Sequence, residues 1–294
     1  MQKLKPGAAF ASVLQVDVRM RFVSFILSLA MAGGVAGAPG HAALNHDALN
    51  KSQPTTAAGL KSSDFDCSFF RGPQAAEAVT LETVLKKMDA VAATFHSTQA
   101  SFEWDTYAKV IDEIDDYETG VIYYRRNGKD IEMKADVKMA GGSLTKLKPE
   151  PKSVLFTNGV IRMYEPKLEQ VTVYDLGKKK ADFETYLVLG FGGGGQDLLK
   201  SFDVTFAGPE TIGGVATAKL QLVPKSESVR NSYNKIFLWI DLDKGISVQQ
   251  QFFSPQGDYR LTKYTDVVVN GKKIPDDVFK LKTTGKTQTV IPRG

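Results

Sequence analysis

The sequence is poor in the residues that build metal centres and covalent cross-links. Its 294 residues include one cysteine, Cys67, so no internal disulfide can form. The three histidines are His41, His46 and His96. Two of them lie in the same N-terminal region as the cysteine, which argues against a zinc site of histidine and cysteine. Neither a metal nor a cofactor is expected. Charge of one sign is also scarce. The formal net charge is +4, but Lys3, Lys5, Arg19, Arg21 and Asp17 all precede residue 43, and the remainder holds 33 basic against 32 acidic residues. A balanced body of this kind offers no electrostatic case for nucleic acid.

Enzyme signatures are missing as well. There is no G-x-S-x-G nucleophile turn. Gly190 to Gly195 lacks the Lys-Ser/Thr of a phosphate loop and does not follow a strand pattern. Asp112, Glu113, Asp115 and Asp116 are close together but lack the spacing and glycine of a calcium loop, and read as a solvated hairpin tip. No catalytic residues are assigned, and no repeat of 20–50 residues is visible.

One apolar run stands near the N-terminus. Arg19 and Arg21 precede Phe22–Ala32, and Ala36-Gly37-Ala38 or Gly40-His41-Ala42 supplies a small-residue cleavage motif. Residues 1–42 therefore read as an N-terminal extension and secretory signal peptide, with Met20 a second candidate start. The run is shorter than the roughly 20 residues a membrane span needs, and no other stretch is longer. Residues 43–78 are rich in Ala, Ser, Thr, Asn and Pro and read as a flexible leader. Residues 79–294 are expected to form a single domain, exported and soluble.

With 43% hydrophobic and 24% charged residues, that domain can bury a sizeable core. Thr80 as N-cap, then Leu81, Val84, Leu85, Met88, Val91, Ala92 and Phe95, predict one amphipathic helix. Strand patterns follow. Phe102, Trp104 and Thr106 alternate with charged residues and Tyr107, and Ile131, Met133, Ala135, Val137 and Met139 alternate with Asp, Glu and Lys. Asn158-Gly159 marks a hairpin between 154–157 and 160–164. Further strands are expected at 171–176, 202–206, 215–223, 235–242, 247–253 and 259–269. About ten strands with short connections indicate one antiparallel sheet, wet on one face. Ala140–Lys152 reads as a long loop. A helix over 182–191, the glycine run as a hinge and a short helix over 196–201 suggest a lid.

The order of certain segments resembles the outer-membrane lipoprotein carrier (LolA) family, from about Leu81 to Thr289. The residues carrying it are Phe95-His96-Ser97, Phe102, Tyr117-Glu118-Thr119-Gly120-Val121-Ile122-Tyr123, Phe156-Thr157-Asn158-Gly159, Met163-Tyr164-Glu165-Pro166, Glu169-Gln170-Val171, Ile274-Pro275 and Val278-Phe279. The resemblance implies an incomplete β-barrel, a curved antiparallel sheet with helices as a lid over a hydrophobic cavity. It also implies periplasmic carriage of lipoprotein acyl chains from an inner-membrane transporter to an outer-membrane receptor. It places a lid-latching arginine just after the second strand, where Arg126 stands. Here Asn127-Gly128-Lys129 follows rather than the family's proline, and Arg125 competes for the role. A monomer is expected.

The residues themselves suit that task. Each buried CH₂ gains roughly 0.8 kcal/mol, so a long acyl chain gains on the order of ten kcal/mol in an apolar hollow. The lining is assigned to Phe102, Trp104, Ile122, Tyr124, Ile131, Met133, Met163, Phe183, Leu187, Phe191, Phe237, Trp239 and Phe252. For each aromatic taken singly, ordinary core packing is the stronger reading. Two other readings stay open: a carrier of another lipid or glycolipid, and a periplasmic sensor of lipids or envelope stress that signals to a protein partner.

Overall fold

The computed structural model describes residues 78–292 apart from 128, 129 and 188. The segments read as signal peptide and leader, with Cys67, lie outside these residues except for Ala78, and so do Gly128 and Lys129 of the segment after Arg126. Among the described residues no helix is long and apolar enough to cross a membrane.

Helix α1 (Leu81–Thr94) forms where the apolar spacing predicts it. Its start is fixed by a reciprocal cap: Thr83 N–H donates to Thr80 Oγ1 at 3.2 Å, and Thr80 N–H donates to Thr83 Oγ1 at 2.9 Å. Val84, Leu85 and Met88 form its buried stripe. Its end is clamped by Asn270, whose Oδ1 accepts from the backbone of His96 at 2.7 Å and whose Nδ2 donates to Thr94 O at 2.8 Å.

The strands are β1 (Ser97–Ala108), β2 (Glu113–Asn127), β3 (Asp130–Gly141), β4 (Lys148–Thr157), β5 (Val160–Glu165), β6 (Gln170–Asp175), β7 (Phe202–Ile212), β8 (Val215–Pro224), β9 (Lys235–Asp241), β10 (Ser247–Phe253), β11 (Tyr259–Val269) and β12 (Gln288–Val290). They form one twelve-stranded sheet in the order β12-β6-β5-β4-β3-β2-β1-β11-β10-β9-β8-β7. Neighbours are antiparallel except β12, which runs parallel to β6. The sheet is open, because β7 and β12 stand at its two edges. The expected mainly-β architecture, an incomplete barrel with helices, is the one observed.

One expectation is corrected. Ala140–Lys152 is not a long loop: β3 runs on to Gly141, a single 3₁₀ turn covers Leu144–Lys146, and β4 begins at Lys148. Polar strand ends beyond the core carry no apolar alternation, so the pattern hides them. Ile274 and Phe279 pack on Leu155 with Tyr123, Val278 and Leu281, on the outer face of the sheet, before β12 joins β6.

The faces follow from the pleat. One face gathers Phe102, Ile122, Tyr124, Met133, Ala135, Val154, Phe156, Ile236, Leu238 and Ile240 with the helical Val84, Leu85, Met88, Phe183 and Leu198. This is the inner, helix-covered face. Gly120 belongs to it, pairing with Phe102 on β1. An added Cβ at Gly120 would stand 2.1 Å from Asp136 O and 2.7 Å from Phe102 Cζ. The glycine lets the aromatic ring lie flat on the strand. Gly120→Ala is therefore expected to destabilise the domain by about 2 kcal/mol or more; urea unfolding of the variant, read by circular dichroism, checks it.

Candidate functional site

On the inner face, helix α2 (Lys180–Leu187) and helix α3 (Gly195–Ser201) bracket the glycine run. Helix α2, through Phe183, Tyr186 and Leu187, and Phe191 after it cover an apolar cavity of about 80 Å³. The helix expected over 182–191 begins earlier and stops at Leu187, because Gly190 and Gly192 take positive φ, 79° and 84°. Phe183 sets its ring 5.0 Å from that of Phe156, and Tyr186 stands edge-on to Phe202 at 5.6 Å. Phe191 lies at 4.5 Å from Tyr264, edge to face.

The glycine run, expected as a hinge, is tightly packed. Residues 189–195 are all buried. An added Cβ would meet Ser247 Cβ at 2.2 Å from Gly190, Phe95 Cγ at 2.3 Å from Gly192, and Leu85 O at 2.5 Å from Gly195. These glycines let backbone reach the sheet and α1. Ser247 N–H donates to Gly190 O at 2.8 Å, Gln250 Nε2 to Leu189 O at 2.5 Å, and Gln196 N–H to Asp89 Oδ1 at 3.1 Å.

Arg125 and Arg126 part ways because successive residues of a strand face opposite sides. Arg126 turns to the lid: its Nη2 donates to Gly192 O at 3.3 Å, and its guanidinium stands 6.0 Å from the Phe95 ring. Arg125 turns outward, pairs with Glu132 and Asp276, and lies over the Phe279 ring at 4.3 Å.

Of the residues assigned to the lining, Trp104, Ile122, Tyr124, Met133, Phe183, Leu187, Phe191 and Phe252 meet at the cavity. Phe102 lies beneath it, stacked on Trp104 at 4.1 Å. Met163 is buried in the same core away from the cavity, and Ile131 faces the separate groove beside Arg126 and Glu184. Phe237 and Trp239 are corrections. They occupy the other face of β9 from Ile236, Leu238 and Ile240, under Lys219 and Lys235. Trp239 donates its Nε1–H to Glu210 there. Every residue from 236 to 240 is apolar, so alternation does not choose a face for that strand.

The assignment missed Ala135, Tyr186, Gln250, Arg260, Thr262 and Tyr264. Polar residues at inward positions of β10 and β11 run against the apolar-in rule, which is why pattern alone passes over them. Near Arg260 the inner face ends in charge. Glu118 is 4% exposed and ion-paired to Lys152. Asp116, two residues along β2, has its carboxyl pushed up to about 6, by burial first and then by the negative charge of Glu118, with Arg260 and Lys152 opposing.

No family model matches the sequence, and no curated protein does. Solved structures with similar chain traces include an uncharacterised conserved protein from Thermus thermophilus, at 10% identity over 72% of this chain and 98% of that one, TM-score 0.45. A second is the MucA/MucB complex of Pseudomonas aeruginosa, at 13% identity over 71% of this chain and 63% of that one, TM-score 0.41. A third is a LolA superfamily protein from Nitrosomonas europaea, at 15% identity over 69% of this chain and 99% of that one, TM-score 0.33.

The charged end makes a prediction of its own. A carboxyl whose folded pKa is raised from 3.8 to about 6 opposes folding once ionised, so its contribution to stability falls as pH rises through that interval and is level above it. Asp116→Asn removes this loss. The stability difference, variant minus unmodified protein, should grow between about pH 4 and pH 7 in urea titrations; a difference independent of pH rejects the assignment.

Proposed function

We propose that this chain is a periplasmic carrier, soluble after export, whose domain over residues 79–294 encloses an acyl chain between the inner face of its sheet and the lid at 180–201. The observation that carries the reading is the lid-covered apolar cavity, walled by Trp104, Tyr124, Phe183, Phe191 and Phe252. Support comes also from the order of segments shared with the lipoprotein carriers. On that reading the cargo is the acyl part of a lipoprotein, received from an inner-membrane transporter and handed to an outer-membrane receptor. Another lipid is the alternative cargo. Binding is reversible and non-covalent, and the chain performs no catalysis.

The closed cavity, about 80 Å³, lies well under the roughly 300 Å³ at which small-molecule pockets begin. Loading therefore requires the lid to rise. Arg126 is the latch in this scheme, because its contact with Gly192 O joins β2 to the lid backbone. The aromatic and methionine side chains then rearrange around the chain, methionine being the most adaptable of them.

Three outcomes check the scheme. Native mass spectrometry of the protein taken from its own periplasm should reveal a bound lipid or lipid-modified protein; an empty protein that also takes up no acyl probe removes the carrier reading. Osmotic shock should release the mature chain, and retention in the membrane pellet contradicts soluble carriage. Arg126→Leu should speed exchange of a fluorescent fatty-acyl probe by roughly 5-fold, the factor expected for loss of one hydrogen bond of about 1 kcal/mol. Unchanged exchange removes the latch assignment and leaves the cavity untouched.

A further inference from the structure

Exposed aliphatic side chains gather at one end of the sheet. Of the seven large hydrophobic side chains exposed among the described residues, four are Val110, Ile111, Leu144 and Leu168. They lie on the connections β1–β2, β3–β4 and β5–β6. Alternate connections of an antiparallel meander share a rim, so these three stand together, at the end of β2 opposite Arg126. Val110 is 96% exposed and Ile111 55%. A singly exposed aliphatic needs no explanation, but a row of them along one rim does.

The tips are hydrogen-bonded turns that present these side chains to solvent. Ile111 N–H donates to Ala108 O at 3.3 Å and Asp112 N–H to Lys109 O at 3.2 Å, which puts Val110 and Ile111 at the apex. Lys146 N–H donates to Ser143 O at 3.0 Å around Leu144, and Glu169 N–H to Pro166 O at 3.1 Å around Leu168. Lys109 N–H also donates to Asp258 Oδ1 at 2.8 Å, which ties the first tip to the β10–β11 turn.

Each tip sets a lysine beside its aliphatic. Lys109 precedes Val110, Lys146 follows Leu144 by two residues, and Lys167 precedes Leu168. All three lysines are exposed. Lys167 pairs with Glu150, and Asp112 accepts from the Tyr107 hydroxyl. With Glu113 and Glu169 also on the rim, its charge is mixed. Neighbouring strands are about 4.8 Å apart, so consecutive tips stand roughly 10 Å apart along the rim. A protein interface buries one close-packed patch with an apolar centre, which separate tips do not form. A lipid interface admits each side chain by itself, with aliphatic carbons below the head groups and lysine ammoniums at their level.

We propose that this rim is a membrane-contact edge, at which Val110 and Ile111, with Leu144 and Leu168, enter the interface of a phospholipid bilayer. A single myristoyl chain attaches a protein only reversibly, and these short side chains hold no more tightly. The contact is therefore peripheral and transient, compatible with the release expected on osmotic shock. It goes beyond the carrier reading and does not depend on which cargo the cavity takes.

The test is flotation of the purified mature chain with vesicles of phosphatidylcholine, and with vesicles of phosphatidylethanolamine and phosphatidylglycerol. The unmodified chain should float with both, because the mixed charge of the rim leaves the aliphatics to drive the contact. The double variant Val110→Ser/Ile111→Ser should lower the partition coefficient by about 10-fold or more. Val268→Ser, at an exposed aliphatic on the opposite rim, should leave it unchanged. Failure of the unmodified chain to float with either vesicle overturns the proposal and leaves the rim to a protein contact. Flotation that requires phosphatidylglycerol and survives the double variant is electrostatic and overturns it as well. An equal loss from Val268→Ser does the same. Uptake of a fluorescent fatty-acyl probe in vesicle-free solution reads the carrier function separately, so the two readings fail independently.

Discussion

A wide sheet with one apolar face has to cover that face or lose its stability to water. From β4 across β1 to β8, side chains such as Phe156, Met133, Ile122, Phe102, Phe252, Leu238 and Leu220 all point to one side. Each fully buried side chain of this size is worth about 1.5–3 kcal/mol only if something dry lies against it. Helix α1 covers part of the face through Val84, Leu85 and Met88, and the segment from α2 to α3 covers more through Phe183, Leu189, Phe191 and Leu198. The cavity and the segment that covers it are consequences of this single covering problem.

The covering is close where glycine permits and incomplete where aromatic rings prop the layers apart. At Gly190, Gly192 and Gly195 the lid backbone touches Ser247, Phe95 and Leu85. A few residues away, the rings of Phe183, Tyr186 and Phe191 stand off the sheet and leave the cavity. The ties that close the lid are hydrogen bonds to Leu189, Gly190, Gly192 and Gln196. Such bonds contribute about 1 kcal/mol each on balance. The buried lid side chains Phe183, Leu189, Phe191 and Leu198 add to these ties.

The outer face manages its own exposure by other means. The tail from Ile274 to Phe279 covers Leu155 and Tyr123 and engages Arg125. Farther along, Phe237 and Trp239 lie under the charged heads of Lys219 and Lys235, whose cations favour aromatic faces. Two neighbouring arginines therefore serve different layers: Arg125 secures the outer strap and Arg126 the inner lid, a division imposed by the strand's two-residue period.

Much of this was legible beforehand. The capped α1, the Asn158-Gly159 hairpin and the alternating β3 are decided locally, by spacing and turn chemistry that act within a few residues. Tyr124 and Phe252, each beside a second aromatic on its strand, are the members of those pairs that line the cavity. What the sequence could not decide was anything depending on which surfaces meet. The side of β9 that carries Phe237 and Trp239 is set by pairing with β8 and β10, since an unbroken apolar run fits either face. The packing of the glycine run is set by Phe95 and Leu85, more than ninety residues earlier. The inward Arg260 is invisible to any rule that sends charge outward, and only the folded sheet brings it beside Trp104 and the cavity. Local periodicity fixes elements because their hydrogen bonds and turns are local; the site is a product of long-range contacts, and those exist only once the sheet has curled around its core.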